Sequence, residues 1–184
     1  MIPVLPLDEA RKLAQQANIN ERMSELNAFR TLLQSPKAAG AVANLLSTLM
    51  YRNTLDARLR ELIILRTGWR TGSEYEFCQH WGVARQLKMT DEEILGVRDP
   101  ANCPVYDELD RAVIRAADEL LDNAEVSRET WSTLERSLSP AAMVELLLCA
   151  GFWRAMAGYL KSARVALDPI DPTITGWPEG RAPK

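Results

Sequence analysis

Residues 60–94 read RELIILRTGWRTGSEYEFCQHWGVARQLKMTDEEI, and this stretch decides the fold. Apolar residues recur three and four positions apart from Leu55 to Leu65, which is typical of an amphipathic helix. Gly68 and Gly72 mark the end of that helix, and a second helix follows up to about Leu87. The tetrad TDEE that begins at Thr90 is a capping-box pattern, which begins a short third helix. The stretch therefore predicts a helical hairpin followed by a short helix.

The same helical periodicity covers most of the chain. Alternating strand patterns and Asn-Gly or Asp-Gly hairpin turns are absent from the sequence. Further helices are predicted near residues 8–17, 21–33 and 106–122, after the N-caps Asp8, Thr54 and Ser127, and from Pro36 and Pro140 onward. We therefore expect an all-α bundle of about eight helices, with residues 1–168 as one domain and 169–184 as an irregular Pro/Gly-rich tail.

The composition is that of an ordinary globular domain. The 184 residues are 47% hydrophobic and 26% charged, with a net charge of −3. This charge argues against a general nucleic-acid surface, which needs clustered positive charge. The three cysteines, Cys78, Cys103 and Cys149, are widely separated and odd in number, so we expect no disulfide framework and a reducing, cytoplasmic setting.

Neither a secretory signal nor a membrane span is predicted. The start, MIPVLPLDEARKL, lacks a basic segment followed by a long apolar run. The longest apolar run, residues 143–156, contains Glu145 and Arg154, so we expect it to be too short and too polar to cross a bilayer. Because this helix is apolar on nearly all sides, it is expected in the core or at a subunit interface.

The second helix of the hairpin contains His80, the only histidine in the chain. Each helical residue advances by about 100°, so Ser73, Glu76 and His80 share one face, and Glu76 and His80 are close enough to touch. Cys78 points to roughly the opposite side of the helix. It therefore cannot form an activated thiolate pair with His80 through this helix, and we interpret it as a small buried hydrophobe.

An acid/base site around His80 is the functional interpretation of this pattern. Glu76 lies one turn before His80, and Glu61 lies on the preceding helix. A carboxylate and an imidazole in an apolar pocket are what proton transfer near neutral pH requires. The aromatic residues expected to line this pocket are Trp69, Tyr75, Phe77 and Trp81. A structural hydrogen-bonding role for His80 explains the pattern equally well, and both interpretations stay open here.

Metal and phosphate sites are not expected. With one histidine and no clustered cysteines, a metal site would have to consist mostly of carboxylates. Glu61, Glu76 and His80 would form a facial triad only if the two helices aligned for it. No Gly-rich phosphate loop occurs in the sequence.

Residues 55–94, with their Arg-Glu-Leu helix, turn, histidine helix and Thr-Asp-Glu-Glu-Ile element, resemble the central motif of the carboxymuconolactone decarboxylase family. That family includes the alkyl hydroperoxidase D proteins. In the hydroperoxidase branch, a Cys-x-x-Cys pair stands seven and four residues before the histidine. Those positions hold Ser73 and Glu76 in this chain, so the resemblance places it with the decarboxylase branch, which also lacks the thiols.

The resemblance implies a function and an assembly. The decarboxylases act on a γ-lactone that carries a carboxylate and use no metal or organic cofactor. The resemblance implies His80 as the proton carrier, with Glu76 or Glu61 setting its protonation, Arg66 or Arg70 holding the substrate carboxylate, and Ser73 beside the substrate. Salt bridging is the alternative role for both arginines. The family also implies a homo-oligomer, a trimer or a hexamer, on which Trp177 of the tail would dock.

Two other functions stay open at this stage. The chain is alternatively a divergent alkyl hydroperoxidase-like antioxidant protein that uses Cys78. The Cys78 side chain points away from His80 and a second thiol is missing, and both features argue against peroxide reduction by a thiol pair. It is otherwise a non-catalytic helical oligomer that binds a small ligand or a partner protein. The expected partners are therefore a small carboxylated molecule and further copies of the chain, without nucleic acid or membrane.

Overall fold

The computed structural model describes residues 2–169, and within them the protein is entirely α-helical. The helices in these residues are α1 (Leu7–Gln16), α2 (Glu21–Glu25), α3 (Asn27–Leu32), α4 (Pro36–Tyr51), α5 (Ala57–Thr71), α6 (Glu74–Gln86), α7 (Asp91–Gly96), α8 (Glu108–Asn123), α9 (Arg128–Glu135) and α10 (Pro140–Ala163). The all-α prediction is confirmed, with ten helices in the described residues where about eight were expected. The predicted tail and Trp177 lie outside the described residues, apart from position 169.

Some helix boundaries differ from the prediction for local reasons. Asp8, expected as an N-cap, lies in the first turn of α1, whose N-cap is Pro6 without a side-chain cap bond. The single helix expected over residues 21–33 is divided at Leu26, whose extended backbone (φ −74°, ψ 134°) interrupts the helical hydrogen bonds. The N-cap of α5 is Asp56 and not Thr54, because Asp56 Oδ1 accepts the backbone N–H groups of Arg58 and Leu59. The predicted capping box at Thr90 is present at the start of α7.

The described residues form two compact units, 2–53 with 159–169, and 54–158. In the first unit, α1, α3 and α4 bury a small core that includes Ala14, Phe29 and Leu33. Asp168 Oδ1 accepts the backbone N–H of Asn27 at 2.8 Å, which fastens the end of the described chain to α3.

In the second unit, α5 is the central element. Every residue from Leu59 to Gly68 is buried, and α6 and α8 pack on different sides of the helix. Ion pairs join α5 to α8 at Arg58–Asp110, Arg66–Asp118 and Arg70–Asp122, each with a sequence separation of 52 residues. This constant offset shows that α5 and α8 run parallel. The side of α5 that carries Glu61 packs against α6.

Helix α10 is long and apolar enough, among the described residues, to cross a bilayer by length and composition. The expectation that it is too short to do so was wrong, because the continuous helix has 24 residues and extends beyond the run 143–156. The core helix of a globular protein passes the same test, and 44% of the most apolar window of α10 is buried inside the protein. Leu146, Cys149 and Trp153 are among its buried residues.

Candidate active site

The turn between α5 and α6 brings the two helices into close contact. Gly72 adopts the left-handed conformation (φ 66°), and the backbone N–H of Ser73 donates to the carbonyl of Gly68 at 2.9 Å. Gly68 also allows a close approach, since a Cβ atom there would lie 3.2 Å from the backbone nitrogen of Phe77, a tight contact. The two glycines therefore set how closely the histidine helix approaches α5.

Glu61 and His80 meet across this interface. Glu61 Oε2 lies 2.7 Å from His80 Nδ1, and Glu61 Oε1 accepts from Nε of Arg60 at 3.0 Å. Glu61 is fully buried, so both of its carboxylate oxygens have partners inside the protein. This arrangement fixes the orientation of the imidazole ring, because a buried carboxylate at Nδ1 leaves Nε2 to face the opposite way.

The other imidazole nitrogen faces Trp153 and Glu76. Trp153 Nε1 donates to His80 Nε2 at 3.0 Å, and Glu76 Oε2 lies 3.7 Å from the same nitrogen. The indole of Trp153 also interacts with the Glu76 carboxylate and lowers its pKa against the effect of burial. Trp153 comes from α10, 73 residues away in sequence, and no local pattern in the sequence pointed to it. A buried chain of polar groups thus runs from Arg60 through Glu61 and His80 to Trp153 and Glu76.

Burial and neighbouring charges shift the pKa values of two groups in this chain. Burial raises the pKa of Glu76 to about 7, although His80 and the Trp153 indole oppose the rise. Burial by itself lowers the pKa of His80, but the Glu61 and Glu76 carboxylates together outweigh it, and the net effect is a raised pKa. Glu76 therefore changes its charge near neutral pH, which suits a group that exchanges protons at physiological pH.

Replacing Glu76 with glutamine is expected to stabilise the protein at pH 8. The folded chain holds the Glu76 proton up to a pKa of about 7, against an ordinary value of 4.5, so the wild type loses stability as the pH rises between these values. The substitution removes a buried charge, and we expect a gain of about 1–3 kcal/mol in unfolding free energy at pH 8. Urea unfolding at pH 4.5 and pH 8 measures the difference.

The matched control is Glu74→Gln, an exposed glutamate in the same first turn of α6. It removes the same charge from the same helix end without changing a buried group. We expect its unfolding free energy to stay within about 0.5 kcal/mol of the wild type at both pH values. Equal pH dependence in the Glu76 variant and the wild type would contradict the raised pKa of Glu76.

Ser73 and the four aromatic residues proposed for substrate binding lie on or beside α6. Ser73 Oγ is buried and has no hydrogen-bond partner, which makes it a donor available to a ligand. Phe77 packs against Trp69 and Trp81 at centroid distances of 6.0 and 6.2 Å. Tyr75 is buried on the same helix. Their contact with a substrate stays a prediction.

The structure places Arg66 and Arg70 on the α8 side of α5. Arg66 donates to Asp118 through Nε and Nη2 at 2.7 and 2.8 Å, and through Nη1 to the carbonyl of Val97. Arg70 pairs with both Asp118 and Asp122. All three nitrogens of the Arg66 guanidinium are therefore occupied by protein acceptors. This supports the salt-bridging alternative, while a role in substrate binding stays a prediction.

The facial metal triad has the wrong geometry. Glu61 contacts Nδ1 of His80 and Glu76 faces Nε2, so the two carboxylates lie at opposite nitrogens of one ring. A single ion cannot bind one imidazole nitrogen and reach both carboxylates in this arrangement. Within residues 2–169, no group of three histidine, cysteine, aspartate or glutamate side chains is placed to hold a metal ion.

Cys78 is expected to resist oxidation by hydrogen peroxide in the folded protein. Its side chain is 2% exposed, whereas a reactive thiolate needs access and a nearby cation. Mass spectrometry of peptides after brief peroxide treatment reports the modification, with urea-unfolded protein as the control in which all cysteines are accessible. Selective formation of a sulfenic acid at Cys78 in the folded protein would support the antioxidant alternative.

Residues 36–119 match the sequence profile of the carboxymuconolactone decarboxylase family. This segment contains the α5–α6 hairpin with Glu61, Glu76 and His80. Over this segment the chain is similar to that family, and the fold is the AhpD-like helical fold. None of the curated proteins has a significantly similar sequence.

Several solved structures have the same fold. A protein of unknown function from Agrobacterium tumefaciens, proposed to be the antioxidant defence protein AhpD, has 23% identity and a TM-score of 0.70, covering 75% of this chain and 94% of its own. An uncharacterized peroxidase-related protein from Silicibacter sp. TM1040 has 15% identity and a TM-score of 0.76, covering 95% and 94%. The debrominase Bmp8, in complex with 2,3,4-tribromopyrrole, has 15% identity and a TM-score of 0.76, covering 92% of each chain. At sequence identities this low, these comparisons show that the proteins share a fold and nothing more.

Proposed function

We propose that the protein is an enzyme that decarboxylates a small carboxylated, lactone-like molecule by acid/base chemistry, without a metal or organic cofactor. The observation that carries this proposal is the buried Glu61–His80–Glu76 arrangement, with carboxylates at both imidazole nitrogens. The match of residues 36–119 to the profile of the carboxymuconolactone decarboxylase family supports the reaction class. The tribromopyrrole bound by Bmp8 supports a small ring-shaped substrate for this fold.

The proposed reaction needs one proton donor and one charge-stabilising donor. Loss of carbon dioxide breaks the carbon–carbon bond and leaves its electron pair on the substrate as an enolate. The protonated imidazole of His80 then delivers the Nε2 proton to carbon. His80 regains a proton from the Glu76 carboxyl group, and Glu76 is reprotonated by water, so that each turnover consumes one proton. The buried hydroxyl of Ser73, on the same face of α6, is the donor we assign to the substrate.

The experiment uses carboxymuconolactone first and then a panel of small carboxylated lactones. In deuterium oxide, the wild type is expected to release carbon dioxide and to place one deuterium on the carbon that lost the carboxylate, as observed by NMR. Glu76→Gln is expected to slow turnover by about 10²-fold, because it removes the group that returns the proton to His80. The exposed-site variant Glu74→Gln serves as the matched control and should retain the wild-type rate.

Two outcomes would contradict the proposal. One is the absence of carbon dioxide release above the buffer rate from every lactone tested. The other is release at an unchanged rate in Glu76→Gln, which would leave the buried arrangement without a part in the reaction.

We also propose that the protein is a homo-oligomer. Val144 and Leu148 lie one turn apart on α10 and are 56% and 50% exposed, which makes an apolar strip on this helix. Burial of this strip against a second copy would remove it from water.

Replacing Leu148 with glutamate is accordingly expected to reduce the mass in solution to that of one chain, 20.6 kDa. Light scattering after gel filtration measures it. Val105→Glu, at another exposed apolar side chain, is the control and should leave the assembly unchanged. A wild type that is already a single chain would contradict the proposal.

A further inference from the structure

The contact between Trp153 and His80 defines the protonation state of the imidazole. An indole nitrogen has one hydrogen and no lone pair to accept with, so Trp153 Nε1 is necessarily the donor across the 3.0 Å contact. His80 Nε2 must therefore present a bare lone pair. The hydrogen of the neutral ring is then on Nδ1, where Glu61 Oε2 accepts it at 2.7 Å.

This state excludes a proton on Nε2. A protonated His80 would place two N–H groups against each other at 3.0 Å, which is repulsive and leaves both hydrogens without an acceptor. One other acceptor is within reach of the indole, the carboxylate of Glu76, with which Trp153 also interacts. Glu76 Oε2 is 3.7 Å from Nε2, so the indole hydrogen has two acceptors side by side.

We propose that Trp153 is a positioning residue. Its indole N–H donates to Nε2 of His80 and keeps that nitrogen unprotonated, and Nε2 can bind a proton only when the indole donates to Glu76 instead. This deepens the proposed function and rests on it for its catalytic meaning. In the resting state, Trp153 donates to a neutral His80 beside a neutral Glu76. In the active state, Trp153 donates to the ionised Glu76 beside a protonated His80.

The exchange between the two states is balanced. One proton leaves the carboxyl group of Glu76 and binds Nε2 of His80, and the net charge of the pair does not change. The indole keeps its hydrogen and changes only its acceptor, from Nε2 to the carboxylate. Trp153 therefore stabilises whichever of the two groups has just lost its proton.

The remaining charged and titratable groups around His80 are compatible with this exchange. On α5 these groups are Glu61, at Nδ1, and Arg60, which pairs with Glu61. On α6 the group is Glu76, and on α10 it is Cys149, whose thiol is kept neutral because burial raises its pKa well above the ordinary value. The rings of His80 and Trp153 are nearly perpendicular, at 82°, with their centroids 5.4 Å apart.

The experiment exploits the single histidine of the chain. Long-range nitrogen–hydrogen NMR of uniformly ¹⁵N-labelled protein reports which imidazole nitrogen carries hydrogen, with no assignment needed. At a pH where His80 is neutral, we expect the hydrogen on Nδ1, whereas free imidazole side chains favour Nε2. On lowering the pH, the indole N–H signal of Trp153 is expected to shift with the same midpoint as the imidazole. If the neutral ring of the wild type carries its hydrogen on Nε2, that result by itself overturns the proposal.

The variant Trp153→Phe keeps an aromatic ring and removes the N–H group. We expect the titration midpoint of His80 to rise by about one pH unit, because the neutral ring loses a donor at Nε2, while Glu61 keeps the hydrogen of the neutral ring on Nδ1. The control is Trp131→Phe, which removes an indole N–H that donates to Glu135 on α9. It should change neither the midpoint nor the tautomer.

An unchanged midpoint in Trp153→Phe would also overturn the proposal. All these measurements are made without substrate, so they can fail while the decarboxylation assay succeeds. Conversely, the tautomer and the dependence of the midpoint on Trp153 can be observed even if no lactone is turned over. The two proposals are therefore tested separately.

Discussion

Replacing His80 with glutamine is expected to lower kcat for lactone decarboxylation by about 10²–10⁴-fold. Glutamine has a donor and an acceptor on its amide, so it can bond to Glu61 and Trp153 within a similar volume, but it cannot carry a proton at neutral pH. The loss should therefore appear in turnover and leave the fold intact. Steady-state kinetics measure turnover, and thermal unfolding followed by circular dichroism checks the fold.

The pH profile of the same variant provides a second measurement. In the wild type, the rate should depend on the ionisation of Glu76, whose pKa is about 7, and on that of His80, whose pKa Glu61 raises against the effect of burial. In His80→Gln, the histidine limb of the profile should disappear. A variant that folds and keeps the wild-type kcat would show that His80 has a structural role only, the alternative that the sequence pattern left open.

Replacing Asp118 with alanine is expected to lower the free energy of unfolding by about 3–5 kcal/mol. Asp118 accepts two hydrogen bonds from Arg66, whose side chain is only 10% exposed, and it also pairs with Arg70. Without Asp118, the buried guanidinium of Arg66 retains backbone carbonyls and loses its counter-charge. Urea unfolding gives the free energy.

Asp122→Ala is the matched control, one turn further along α8. Asp122 pairs with Arg70 but is 56% exposed, so we expect its loss to cost about 0–1 kcal/mol. Adding Arg66→Met to Asp118→Ala should recover much of the lost stability, since no buried charge then remains unpaired. A small effect of Asp118→Ala, together with a large effect of Arg66→Met on substrate binding, would instead favour Arg66 as a substrate ligand.

The sequence predicted most helix starts because their signals are local. Pro36 and Pro140 stand at the first positions of α4 and α10, Ser127 caps α9, and the box at Thr90 begins α7. Each signal acts within one turn of backbone, so it operates in much the same way in any fold. The break at Leu26 had no such signal, and the periodicity alone predicted one helix across it.

Side chains from different helices were predicted less completely. The place of Glu61 on the preceding helix and the family resemblance both predict it as a partner of His80, and neither specifies which imidazole nitrogen it contacts. No local pattern predicts Trp153 in the site, because it lies 73 residues from His80 in the sequence. The metal triad could be rejected only when the two carboxylates were seen at opposite nitrogens.

The sequence by itself determined that the protein is helical and that Ser73, Glu76 and His80 share one face of one helix, because helical periodicity depends only on neighbours along the chain. Tertiary structure decided the rest of the site. It placed Glu61 at Nδ1 and Trp153 at Nε2, buried Glu76 enough to raise its pKa to about 7, and paired Arg66 with Asp118. These contacts depend on the packing of α5, α6, α8 and α10, and packing is set by the whole core and not by local spacing.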